Sequence, residues 1–142
     1  MNGSVENKVL FLLWGVASIA TGASLFFSEV MGFQPCVLCW YQRIAMYPLV
    51  ILFAVGLFQP VKTTIYFTIP LVILGQIFSI YHNLLHYNII PESAAPCVLG
   101  VPCSTVYINW FGFLTIPMLS LIAFSIILAG LIYLNRRVTS EK

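Results

Sequence analysis

The four cysteines of this chain fall into two pairs. Cys36 and Cys39 form a Cys-Val-Leu-Cys, whereas Cys97 and Cys103 are separated by the five residues Val-Leu-Gly-Val-Pro. A Cys-x-x-Cys disulfide closes a very short ring and is readily reduced. The species that attacks in thiol–disulfide exchange is the thiolate, so anything that stabilises a sulfur anion at neutral pH promotes the reaction. At a helix N-terminus the free amides and the dipole do this. Arg43 lies four residues after Cys39, one helical turn along the same face, and brings a positive charge near the second sulfur. Two other chemistries use the same residue types. Two structural disulfides can staple exposed loops, and a Cys-x-x-Cys is a common half-site for zinc, although the second pair is spaced more widely than zinc sites usually are. Four cysteines allow three connectivities, and spacing alone does not choose among them. His82 and His86, one turn apart, are further candidates as ligands of a metal or haem, or as a polar helix end at a membrane surface.

The elements that must position these groups follow from composition. The chain has 142 residues, 61% of them hydrophobic and 7% charged, with a mean hydropathy of +1.00. A soluble domain carries about 25% charged residues. So small a charged fraction cannot cover a water-facing surface, and the solvent must largely be lipid. The net charge of +2 gives no reason to expect a nucleic-acid partner. Crossing a bilayer takes about 20 apolar residues, and four stretches qualify: about 9–27, 41–58, 65–85 and 108–134. The fold class is therefore all-α, a single integral membrane four-helix bundle over residues 1–142. Loops of unequal length join the helices, at 28–40, 59–64 and 86–109. Pro48, Pro70 and Pro117 fall inside three of the helices, where a membrane bundle tolerates them. Gly15, Gly22, Gly56, Gly75 and Gly130 are candidates for close approach between helices. The sequence shows no internal repeat.

Positive charge orients the bundle. With the N-terminus inside, Lys8, Lys62, Arg136, Arg137 and Lys142 are all cytoplasmic, and the outer loops carry no Lys or Arg apart from Arg43 at a helix mouth. The opposite orientation puts all five outside. The reading is N-in/C-in in the cell membrane, with the loops 28–40 and 86–109, and so both cysteine pairs, on the extracytoplasmic side. That compartment is the oxidising one. A cleaved signal peptide ending near Thr21–Ser24 is the rival reading of the first helix. The apolar run continues to Phe27 and is long enough to span, and either way the cysteines stay outside.

The stretch Gln34-Pro-Cys-Val-Leu-Cys-Trp-Tyr-Gln-Arg43 strongly resembles the signature of the DsbB family of membrane thiol oxidases. The likeness covers most of the chain: four helices, a cysteine pair in each outer loop, and Arg at +4 from the second cysteine. Trp110-Phe-Gly-Phe-Leu-Thr-Ile-Pro-Met118 also looks like the start of the family's fourth helix. The short second loop is most similar to the Gram-positive branch, often called BdbC. The resemblance implies a protein-dithiol:quinone oxidoreductase that re-oxidises an extracytoplasmic thioredoxin-like dithiol partner and passes the electrons to a membrane quinone, menaquinone in that branch. It implies no metal. Carried over by position, Cys39 is the sulfur nearest the quinone, Cys36 exchanges with the second pair, Arg43 polarises the quinone and His82 lies near it. Cys97 forms the mixed disulfide with the partner, and Cys103 links across to Cys36. The five-residue gap of the second pair is much shorter than in the best-known members. Trp40, Tyr41 and Trp110 read as interface-belt aromatics. Two alternatives use the same residues. In vitamin-K-epoxide-reductase-like oxidases the quinone-facing Cys-x-x-Cys comes late in the chain, whereas here it comes first. A non-catalytic membrane scaffold would hold inert disulfides.

Overall fold

The computed structural model describes residues 3–94, 101–106, 108–109, 111–112 and 115–140. Four long helices account for most of them: α1 (Gly3–Leu25), α2 (Val37–Gly56), α3 (Val61–His86) and α4 (Ile116–Ser140). All four are long and apolar enough to cross a membrane, and α1 gains length from a π-helical turn, Phe26–Val30, that continues it. Each helix packs chiefly on its chain neighbours, and α1 closes the ring against α4. This is the arrangement that short connections between antiparallel helices impose. Among the described residues there is no strand.

The buried positions follow the spacing of left-handed helix packing. On α4 they are Phe124, Ile127, Leu131 and Leu134, and on α3 Ile65, Thr68, Val72, Gly75, Ser79 and His82. Large apolar side chains such as Ile19, Ile51 and Phe67 are exposed on the outside of the bundle, as a lipid solvent allows. Hydrophobic burial cannot favour one helix pair over lipid, so close packing decides. A Cβ on Gly75 would overlap the Phe124 ring, one on Gly130 would meet Leu13, and one on Gly56 would meet Thr64. Gly15 and Gly22 have nothing within 4 Å of a built Cβ, so these two do not serve the helix contact that their composition suggested.

The helix ends differ from the apolar runs for local reasons. α2 begins at Val37 rather than near Tyr41, because Cys36 caps it: its extended backbone lets the sulfur accept the Cys39 N–H at 3.4 Å. α4 begins at Ile116 rather than near Ile108. Pro117 stands in its first turn, where a missing N–H costs no helical bond. α3 ends where Asn88 adopts φ 55°, with Asn88 N–H bonded to Leu85 O and Ile89 N–H to Leu84 O. Pro48 and Pro70 lie within continuous helices.

Candidate functional site

Cys36 and Cys39 are free thiols whose sulfurs stand 3.0 Å apart, with Cys36 buried and Cys39 partly so. The pair sits on the first turn of α2. Across from it, α3 delivers His82, which is 2% exposed and whose Nε2 lies 3.7 Å from Cys36 Sγ and 3.2 Å from the Cys103 carbonyl oxygen. The other ring nitrogen, Nδ1, faces Gln42 Nε2 at 3.1 Å. Gln42 Nε2 also reaches the Phe78 carbonyl at 3.4 Å, which fixes its amide with the nitrogen toward the ring. Nδ1 is then the acceptor, and Nε2 carries the proton that points at Cys36 and at the Cys103 carbonyl. The Cys36 thiol is held well below the ordinary range, down from 9.0 to about 4. The main cause is the hydrogen bond from Cys39, opposed by burial and reinforced by His82.

Cys103 is buried and disulfide-bonded, and it packs with Cys36, Leu38 and Leu85 in one small cluster. The segment of the second loop around Cys103 thus lies against the first pair. Tyr81 OH donates to the Ala94 carbonyl at 2.7 Å, and Asn83 Nδ2 donates to the Pro117 carbonyl at 2.9 Å, so α3 holds both ends of that loop.

Beneath the thiols lies a cavity of about 150 Å³, enclosed by α1, α2, α3, the start of α4 and the second loop. Its walls are largely apolar, with Phe27, Met46, Ile116 and Phe124 among them, and both Cys36 and Cys39 line it. Among the described residues, four lining groups are buried without a hydrogen-bond partner: Arg43 Nε, Tyr47 OH, His86 Nδ1 and Thr115 Oγ1. Buried polar atoms are rarely left unpaired, and an apolar slot with a few convergent polar groups is the usual form of a small-molecule site. Arg43 reaches the cavity while its Nη2 donates to the Ser24 carbonyl at 3.0 Å and its guanidinium carbon stands 5.3 Å from the centroid of the Trp40 ring. Ser24 lies where α1 gives way to π-helical pairing, and its carbonyl also accepts from Ser28 Oγ.

Of the residues singled out in the sequence, Cys36, Cys39, Arg43, His82 and Cys103 come together at one end of the bundle. Cys97 and Trp110 lie outside the described residues. Gln42, Tyr47 and Thr115 were not singled out. Gln42 had a visible signal: a strongly polar side chain within a membrane helix, one turn from a cysteine pair. Tyr47 and Thr115 had none, being ordinary residues for a helix in or near a membrane surface.

Four membrane-spanning helices that present a capping dithiol to an apolar cavity, with the disulfide-bonded Cys103 packed beside it, define a membrane thiol oxidoreductase. The chain belongs to the DsbB family: residues 6–134 match the family described as disulfide bond formation protein DsbB. That family comprises thiol:quinone oxidoreductases. The chain is 48% identical over 126 residues to disulfide bond formation protein C of Bacillus subtilis, which covers 87% of this chain and 91% of that protein. It is 46% identical over 120 residues to a probable disulfide formation protein of Bacillus anthracis, covering 84% and 86%. With a probable disulfide formation protein of Metapseudomonas resinovorans the identity is 40% over 133 residues, covering 93% and 92%. No solved structure matches the chain.

Proposed function

We propose that this protein re-oxidises a thioredoxin-like dithiol protein on the extracytoplasmic side of the cell membrane and delivers the electrons to menaquinone. The observation that carries the reading is the convergence of Cys36 and Cys103, one from each pair, on His82. Its Nε2 lies within 3.7 Å of Cys36 Sγ and 3.2 Å of the Cys103 carbonyl, while Cys36 and Cys39 open onto the cavity. N-in/C-in orientation follows from the five cationic residues outside the cysteine loops.

The partner's dithiol attacks the Cys97–Cys103 disulfide, with Cys97 in the mixed disulfide. The loop's pair, once reduced, attacks the oxidised Cys36–Cys39 pair, and Cys103 is the sulfur that meets Cys36. Each step forms one S–S bond and breaks another, so two electrons and two protons move inward per turn. His82 donates to the Cys36 sulfur as it leaves and stabilises the anion. Cys39, deeper in α2, stands on the cavity side with Arg43 one turn beyond. The quinone supplies an acceptor for two electrons and two protons when bound. The cavity residues fit its ring: Phe27, Met46 and Phe124 give apolar walls, and the unpartnered Arg43 Nε, Tyr47 OH, His86 Nδ1 and Thr115 Oγ1 offer donors to carbonyl oxygens. The low dielectric of the slot strengthens the Arg43 contact.

The test is dithiol-to-quinone turnover by purified protein, followed by quinone absorbance. Cys36→Ser and Cys39→Ser each abolish it. Turnover in either variant at the wild-type rate would remove the first pair from the path.

A further inference from the structure

Three soft or borderline donor atoms meet in one buried place. Cys36 Sγ, Cys39 Sγ and a ring nitrogen of His82 all lie within 4.8 Å of one another, and among the described residues no other group of this kind occurs. The distances distinguish two uses of the cluster. A disulfide needs its sulfurs at about 2.0 Å. A tetrahedral zinc ion, with bonds of about 2.3 Å to sulfur and about 2.0 Å to imidazole, needs its donors roughly 3.5–3.8 Å apart. Cys36 Sγ and His82 Nε2 stand 3.7 Å apart, already at that spacing, and the two sulfurs stand at 3.0 Å, between the two requirements. A small side-chain rotation of Cys39 one way closes the disulfide and the other way opens a chelate.

We propose that the reduced protein binds one soft divalent cation, zinc by its chemistry, at Cys36, Cys39 and His82, and that oxidation of the pair releases it. The site is thus a brake that only the dithiol form can engage. It differs from a four-thiolate structural centre, because Cys103 is committed to a disulfide and its carbonyl oxygen lies 3.2 Å from His82 Nε2. Three protein ligands leave a fourth position toward the cavity for water. At neutral pH binding releases the thiol proton that the Cys36–Cys39 pair still shares and moves no electrons. The histidine proton passes from Nε2 to Nδ1, and Gln42 accepts it by rotating its amide to present Oε1, at the loss of its 3.4 Å bond to Phe78. A ligating histidine held through its other nitrogen is the usual second element of such sites. Re-oxidation forms the S–S bond, breaks both metal–sulfur bonds and sends two electrons to the quinone of the proposed reaction. A shallow depression bordered by Gln34, Pro35, Trp40, Pro102 and Thr105 reaches Cys36 from the loop side and gives the ion a way in.

The gating rests on the proposed redox cycle, whereas the binding itself does not, so the two are measured separately. Full-length protein in detergent, with Cys36 and Cys39 reduced and the Cys103 disulfide intact, is titrated with cobalt(II). The expected result is one cobalt per chain, with sulfur-to-metal charge-transfer absorption and intense visible bands of a tetrahedral site, bleached by zinc. The oxidised protein, the same chain in the same fold, shows neither. His82→Ala loses the tetrahedral spectrum, and Gln42→Leu, which keeps all three donors, weakens binding by about 10-fold or more. A cobalt spectrum that persists in the oxidised protein, or affinity unchanged in Gln42→Leu, overturns the proposal. Dithiol-to-quinone turnover in the presence of a chelator tests the oxidase reading alone, and its failure leaves the cobalt result intact.

Discussion

The Cys36 thiol offers a direct test of how the site works. At its ordinary value of 9.0, only about one molecule in a hundred would carry the anion at neutral pH, whereas a thiol lowered to about 4 is almost wholly ionised. The assay is alkylation of the reduced protein by iodoacetamide across the interval from about pH 4 to pH 9, in chelator, with the Cys36 adduct quantified by mass spectrometry. The wild-type rate is expected to rise with a midpoint near the lower end. Because the Cys39 hydrogen bond is the largest cause, Cys39→Ala moves the midpoint up most. His82→Ala moves it less. A hydrogen bond to a charged group is worth about 1.5–3 kcal/mol, and the 3.7 Å separation places this one at the weak end. At about 1.4 kcal/mol per pH unit that is a rise of about one unit, or a tenfold slower alkylation below the midpoint. The sign for stability follows. The folded Cys36 value lies below the unfolded one, so its contribution is present near 9.0 and is lost as pH falls toward 4. The reduced protein therefore unfolds more readily in acid than in mild base. A wild-type midpoint near 9, or a larger shift in His82→Ala than in Cys39→Ala, would refute the reasoning.

Arg43→Ala removes one charged donor at Nη2 and another at Nε, and raises the quinone KM by roughly 10–100-fold in steady-state turnover. Arg43→Lys does not restore it, because an ammonium cannot reproduce the planar fork. Cys97→Ser stops oxidation of the protein partner while small dithiols are still consumed at the first pair, a difference visible by comparing the two substrates. Gly75→Ala forces Phe124 to move and costs about 1–3 kcal/mol in detergent unfolding, with a changed quinone KM because Phe124 lines the cavity. Gly15→Ala, with open space at its Cβ, stays within about 0.5 kcal/mol of wild type in the same assay.

Much of this was legible in the chain. Hydropathy and helix length gave four spans because lipid leaves few other options for an apolar backbone. The Cys36–Cys39 spacing with Arg43 pointed to the end of α2 where these residues line one cavity with His82. What hydropathy could not show were events decided atom by atom. A sulfur cap set the start of α2 and Pro117 helped set the start of α4, neither of which an apolar window registers. Gly75 and Gly15 look alike in sequence and differ only in what faces them. Gln42 sits in the signature itself, but its role depends on which nitrogen of His82 it meets, and that is settled by α2 and α3 lying side by side.

The contact between His82 and the second loop is made to a main-chain carbonyl, not to a side chain. A carbonyl oxygen is common to every residue, so the anchor is blind to the letters around it. The outward face of that loop is consequently free to be rewritten for a different client protein, provided the chain still returns that oxygen to the same point above Cys36 and keeps Cys103 in its buried cluster. Specificity and electron delivery are in this way separable properties of a single short segment, and a loop graft is the natural route to a redirected enzyme.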